Sequence, residues 1–133
     1  MNRKGDIAEM AFMLEATKQG LDVFNPFTHS TKVDVIVMRP GGQPITVQVK
    51  HGTPQNTRSN AHKILVGSAK SSNKKPGKIP RYVRYEVGDF DLVAIYLGDI
   101  GFSFWHLKDI CHQATFRWNK TKPTNNWCIF DEL

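Results

Sequence analysis

KVDVIVMRPGGQPITVQVK, running from Lys32 to Lys50, is the stretch on which the fold turns. Lys32 to Met38 is rich in β-branched residues, and Ile45 to Lys50 alternates apolar with polar residues. Arg39-Pro-Gly-Gly-Gln43 between them is a cluster of turn formers, so the stretch predicts a β-hairpin. Side chains on a strand alternate faces with a period of two. Val33, Val35 and Val37 therefore share one face, and Asp34, Ile36 and Met38 share the other. In the second strand Ile45, Val47 and Val49 share a face opposite Thr46, Gln48 and Lys50. A turn centred near Gly41 or Gly42 sets Asp34 across from Gln48 or Lys50. Both registers keep the parity, so Asp34, Gln48 and Lys50 land on one face. A carboxylate, a carboxamide and an ammonium thus converge on a sheet that is otherwise apolar. Two readings are open from these residues alone: an Asp34–Lys50 cross-strand ion pair on a solvated face, or a shared chemical site.

Outward from the hairpin, Gly5 to Gln19 predicts a helix in which Ile7, Met10, Ala11 and Leu14 recur at helical spacing and Gly20 stops the run. Asp6 is placed to cap it, with Glu9 three positions later completing a capping box. Leu21 to Asn25 reads as a short strand. Beyond Lys50 apolar residues are scarce except for Ile64-Leu65-Val66, an expected edge strand. Asp91 to Tyr96 and Phe102 to His106 are two further strands about a Gly98 to Gly101 turn, and Leu107 to Gln113 a short helix. Residues 1–115 are read as the core and 116–133, with Trp118, Trp127 and Phe130, as a tail packing on the core or on a partner subunit.

The net charge of +6 hides a strong segregation. Val35 to Tyr85 contains no Asp or Glu but ten basic residues: Arg39, Lys50, Arg58, Lys63, Lys70, Lys74, Lys75, Lys78, Arg81 and Arg84. The rest of the chain has 8 basic and 12 acidic residues, or −4. Such an excess is either a solvated face or a surface for a polyanion, of which nucleic acid is the commonest. The basic loop spans about 51–84. The longest apolar runs, Val33 to Met38 and Leu92 to Leu97, are far shorter than a membrane span. Asp6, Glu9 and Glu15 interrupt the N-terminal apolar segment, so no signal peptide is read and a cytoplasmic protein is expected. Cys111 and Cys128 are expected as free thiols. Together with His106 and His112 they match no zinc-finger spacing.

Gly5-x-x-x-Glu9, Lys32-Val33-Asp34-Val35-Ile36 and Val47-Gln48-Val49-Lys50, in that order, resemble the PD-(D/E)xK nuclease superfamily. Asn2-Arg3-Lys4-Gly5 and Ser30-Thr31-Lys32-Val33-Asp34 are similar to archaeal-type Holliday junction resolvases. The Gln-x-Lys form, with Tyr85-Glu-Val-Gly-Asp-Phe-Asp91 downstream, looks more like group I intron-encoded homing endonucleases. The resemblance implies an α/β, restriction-endonuclease-like core: a central mixed β-sheet flanked by helices, of αβββαβ type. It further implies an endonuclease that hydrolyses DNA phosphodiesters with Mg²⁺, for which Mn²⁺ may substitute. By the same resemblance Glu9, Asp34, Gln48 and Lys50 are the catalytic set. Asp34, Glu9, the Gln48 side chain and the Val49 carbonyl are metal ligands, and Lys50 orients the attacking water. Arg58, Lys63, Lys70, Lys74, Lys75, Lys78, Arg81 and Arg84 are expected to contact DNA. The implied partner is duplex DNA, as for a homing enzyme, or a four-way junction, as for a resolvase, and the implied assembly a homodimer or homotetramer. The competing class is a non-catalytic DNA-binding module that keeps the fold. Two departures from the superfamily pattern stand out: Gln48 replaces the usual acid, and Val33 the usual proline before Asp34.

Overall fold

The structure is a computed structural model and describes residues 3–27, 32–55, 61–70 and 81–132. Helix α1 (Arg3–Lys18) leads into β1 (Asp22–Phe24), β2 (Val35–Met38) and β3 (Ile45–His51). A β excursion follows, with β4 (Thr53–Pro54), β5 (His62–Leu65), β6 (Gly67–Lys70) and β7 (Arg81–Arg84). The chain then returns through β8 (Leu92–Tyr96), β9 (Phe102–His106), the single turn α2 (Leu107–Ile110) and β10 (Thr115–Trp118), and ends in a 3₁₀ helix, Trp127–Asp131.

The main sheet is mixed, five strands in the order β1-β2-β3-β8-β9, with β3 and β8 parallel and every other pair antiparallel. The hairpin forms as its sequence predicts: Val35 pairs with Val47 and Val37 with Ile45, so the same register sets Asp34 against Gln48. Val35, Val37, Ile45, Val47 and Val49 are buried, whereas Val33, ahead of β2, is half-buried and packs against the second core cluster instead. Asp91 locks the parallel pair at its start. Its carboxylate accepts from the Thr46 N–H (2.9 Å) and hydroxyl (3.1 Å), while its own N–H donates to the Thr46 hydroxyl (2.9 Å).

Helix α1 covers one face of this sheet, but of the four residues whose spacing predicted it only Ala11 packs against the core. Ala8, Phe12 and Ala16 are the buried ridge, whereas Ile7, Met10 and Leu14 are 48%, 65% and 56% exposed. The reason is close packing. Two alanines flanking Phe12 let its ring reach Phe102, Phe104, Trp127 and Phe130 at centroid distances of 5.8 to 6.3 Å. The helix also starts at Arg3, so Asp6 is not its cap but lies in the first turn, where the helix dipole still favours a carboxylate. Glu9 is accordingly no capping-box partner.

The opposite face of β8, with Val93, Ile95 and Leu97, is covered by a second sheet in the order β10-β5-β4. β5 is therefore a central strand rather than an edge, because Thr115–Trp118 of the tail pairs along its whole length. The tail also closes the free edge of β9. The Asn126 amide accepts from the Phe104 N–H (3.0 Å) and donates to the Phe104 carbonyl (2.9 Å). Asn125 does the same for the Phe102 N–H (2.9 Å) and the Ile100 carbonyl (3.1 Å). Two asparagine side chains thus stand in for a sixth strand. Among the described residues no helix is long and apolar enough to cross a membrane, and both cysteines are free.

Candidate active site

β2 ends before β3 does. Strand pairing runs out at Val35 opposite Val47, while β3 continues to His51. In the notch that this leaves, the Val49 N–H has no strand partner from β2 and donates instead to the Asp34 carboxylate at 2.9 Å. The notch opens into a cleft of ≈ 400 Å³ lined by Lys4, Gly5, Glu9, Asp34, Gln48, Val49, Lys50, His51 and Thr53. Glu9 arrives from α1, Asp34 from the approach to β2, and the other predicted residues from β3. The four expected catalytic residues and Val49 therefore share one cavity wall.

The electrostatics of the cleft are set by burial. Desolvation pushes the Asp34 carboxyl above its ordinary range, against the Val49 hydrogen bond and the positive charge of Lys50, which pull it down. Desolvation lowers the Lys50 ammonium from its ordinary value, with Asp34 opposing. The two do not form an ion pair among the described residues. Lys50 Nζ instead donates to the Gly67 carbonyl at 2.9 Å and lies 5.1 Å from the centroid of the Tyr85 ring. Tyr85 is itself buried edge-on against Phe90. The cross-strand ion pair on a solvated face is thus not what forms.

Gln48 supplies the most telling atom. Its Oε1 is buried and meets no hydrogen-bond donor among the described residues. A buried acceptor without a donor costs about 1–3 kcal/mol, and such an atom in a native protein is commonly met by a bound water or ion. This one sits in the same cleft as two carboxylates. An all-oxygen donor set of this kind suits a hard divalent cation such as Mg²⁺ or Mn²⁺. No group of three His, Cys, Asp or Glu that could hold a metal occurs among the described residues.

A family model described as PD-(D/E)XK endonuclease matches residues 1–126. The chain belongs to the PD-(D/E)XK endonuclease family. Nucleases of this family generally use divalent metals, which agrees with the oxygen donors of the cleft. Among solved structures the chain is similar to a bacterial homing endonuclease, I-Ssp6803I, with a TM-score of 0.72 and 18% identity, over 92% of this chain and 79% of that one. At that identity the likeness speaks for the fold, a mixed α/β restriction-endonuclease-like core. The comparison with curated proteins finds no match.

Of the predicted DNA contacts in this PD-(D/E)XK chain, Lys63 is half-buried on β5, and Arg84 donates to the Cys111 carbonyl at 2.8 Å. Lys70 and Arg81 are opposite one another at the ends of β6 and β7. Arg58, Lys74, Lys75 and Lys78, and the side chains of Lys70 and Arg81, lie outside the described residues. Sequence reasoning passed over Lys4, His51 and Thr53 in the cleft wall, and Gly67 and Tyr85 as the groups that hold Lys50. His51 was signalled by its place at the end of the site strand, and Thr53 by following it closely along the chain. Gly67 and Tyr85 carried no signal of spacing.

Proposed function

We propose that the protein is a Mg²⁺-dependent endonuclease that hydrolyses phosphodiester bonds of duplex DNA, with Mn²⁺ able to substitute. The observation that carries this reading is the meeting of Glu9, Asp34 and a Gln48 Oε1 that finds no donor among the described residues, in one cleft beside Lys50. Asp34, Glu9, Gln48 Oε1 and the Val49 carbonyl would hold the cation. Once bound, it would neutralise phosphate charge and make water a better nucleophile at neutral pH.

The protein's own groups do the rest. The Val49 N–H orients the Asp34 carboxylate within the cleft. The Gly67 carbonyl and the Tyr85 ring hold the Lys50 ammonium on the cleft wall, where it orients the attacking water and stabilises the charge that grows on the phosphate oxygens. Burial strengthens that interaction because little water screens it. The basic segment draws in the DNA backbone. Cutting two strands requires two such sites, and a homodimer or homotetramer provides them. The exposed Ile7, Met10 and Leu14 stripe on α1 supports self-association.

The test is cleavage of long duplex DNA and of a synthetic four-way junction in Mg²⁺ or Mn²⁺. Cutting of duplex that disappears in Asp34→Ala and Lys50→Ala, with binding retained, is the expected result. Cutting confined to the junction would replace the substrate by the resolvase alternative. Absence of cutting on every substrate would leave a DNA-binding module.

A further inference from the structure

Across the second sheet, register forces like charges together. Lys63 of β5 lies directly opposite Arg117 of β10 on one side and opposite Thr53 of β4 on the other. Ile64, Phe116 and Trp118 point into the core, so Thr53, Lys63 and Arg117 form a row on the outer face. Like charges directly opposite on adjacent strands destabilise a sheet. Neither cation meets a carboxylate among the described residues. In the neighbouring ribbon the backbone register sets Lys70 opposite Arg81.

The row is also joined to the active site. A second cleft of ≈ 410 Å³, lined in part by Thr53, Lys63 and Leu65, shares Lys50, His51 and Thr53 with the first. Thr53 thus stands on both, and the cation pair lies beyond it.

We propose that Lys63 and Arg117 are a paired contact for consecutive phosphates of the DNA strand that flanks the scissile bond, with Thr53 between them and the cleft. The proposal rests on the nuclease reading above. It also adds Arg117, which lies outside the basic segment, to the binding surface. A polyanion removes the repulsion between two cations that the sheet holds side by side, and a surface built for another purpose would place a carboxylate there.

Binding of duplex DNA, followed by fluorescence anisotropy in chelator over a range of salt, tests it. Lys63→Gln and Arg117→Gln should each reduce the slope of log K against log salt by about 0.9, and together by nearly two. Lys63→Arg and Arg117→Lys should keep it, and Lys18→Ala, whose cation pairs with Glu15, should leave it unchanged. The unfolding temperature of the double variant should hold or rise, because it loses a repulsion. An unchanged slope in the double variant, or a fall in its unfolding temperature, overturns the proposal while wild-type binding and cleavage keep the nuclease reading. Absence of DNA binding by the wild type overturns both.

Discussion

Replacing Gln48 by methionine keeps the length of the side chain and removes the buried Oε1 that finds no donor among the described residues. Relief of a partnerless buried acceptor is worth about 1–3 kcal/mol. Taking roughly 1–2 kcal/mol for a methionine that packs in the same space, and an unfolding entropy near 2.1 cal/mol/K per residue, the variant should melt about 4–7 °C above wild type in chelator. The order should change when Mg²⁺ or Mn²⁺ is added. Wild type at a cation concentration tenfold above its dissociation constant gains about 1.4 kcal/mol, or roughly 5 °C. Gln48→Met has lost an oxygen donor and should gain only a small part of that.

Gln48→Glu provides the opposite arm. A third carboxylate beside Glu9 and Asp34 adds buried negative charge, so the unfolding temperature in chelator should fall and the gain on adding cation should exceed that of wild type. The assay is thermal unfolding by circular dichroism or calorimetry, in chelator and across a cation titration, with cleavage measured in parallel. Two results would refute the reasoning. One is a methionine variant that melts below wild type in chelator, which would mean that Oε1 has an internal partner. The other is an equal cation-dependent shift in wild type and variant, which would take Gln48 out of the donor set.

Lys50→Met should lower the cleavage rate by about 10²–10⁴-fold, the usual scale for a positioned proton-transfer or charge-stabilising group, with DNA binding close to wild type in an anisotropy assay. Burial lowers the Lys50 ammonium from 10.5, so the alkaline limb of the cleavage profile should fall at a pH below that of free lysine and vanish in the methionine variant. For Asp34 the native value lies above the ordinary 3.8. Between the two the native state binds more protons than the unfolded one, so this group's contribution to stability falls as pH rises through that window. Asp34→Asn should flatten that part of a stability–pH curve measured by denaturant titration. Asn126→Ala removes both amide bonds to Phe104 and should cost about 2 kcal/mol, or roughly 7 °C in unfolding temperature, with per-molecule cleavage unchanged at temperatures where the variant is folded.

The hairpin was legible because a period of two leaves little freedom. Once the turn is centred on Gly41 and Gly42, parity alone places Asp34 on the face of Gln48 and Lys50, and the register of Val35 with Val47 bears that out. The helix was legible as a helix but not in its orientation. Ile7, Met10 and Leu14 are the more apolar stripe, yet Ala8, Phe12 and Ala16 are buried, because the sheet takes one large ring between two small residues. Hydrophobicity records how strongly a face avoids water, whereas the choice of face here depends on shape. The second sheet was hidden for a different reason. β5 gains its outer neighbour from Thr115–Trp118, some fifty residues away along the chain, and no local pattern encodes so distant a pairing. That distance also hid the companionship of Lys63 and Arg117, and a shorter separation, 22 residues for Asn126 and Phe104, hid the service of Asn125 and Asn126 at the edge of β9.

Elsewhere in the fold most polar groups are matched, although Arg39 Nε and His62 Nδ1 are also buried with no hydrogen-bond partner among the described residues. Ser103, fully buried, donates to the Pro123 carbonyl at 2.7 Å and accepts from Trp105 Nε1 at 2.8 Å, and Asp91 and Thr46 satisfy one another. Three groups held at a disadvantage share one notch: a carboxyl pushed up, an ammonium pushed down, and an amide oxygen with no donor among the described residues. Failures of local consistency that cluster in one cleft support a functional reading more than any one residue type does. It also rationalises the amide. A third acid at position 48 would bind a cation more tightly, but Asp34 already pays for its burial, and another charge in the same wall would raise that penalty before any cation arrives. Gln48 keeps the oxygen and omits the charge. With Gln48 in the proposed ligand set, the amide would exchange cation affinity for stability of the cation-free fold, and the stabilities of Gln48→Met and Gln48→Glu should lie on opposite sides of wild type in chelator.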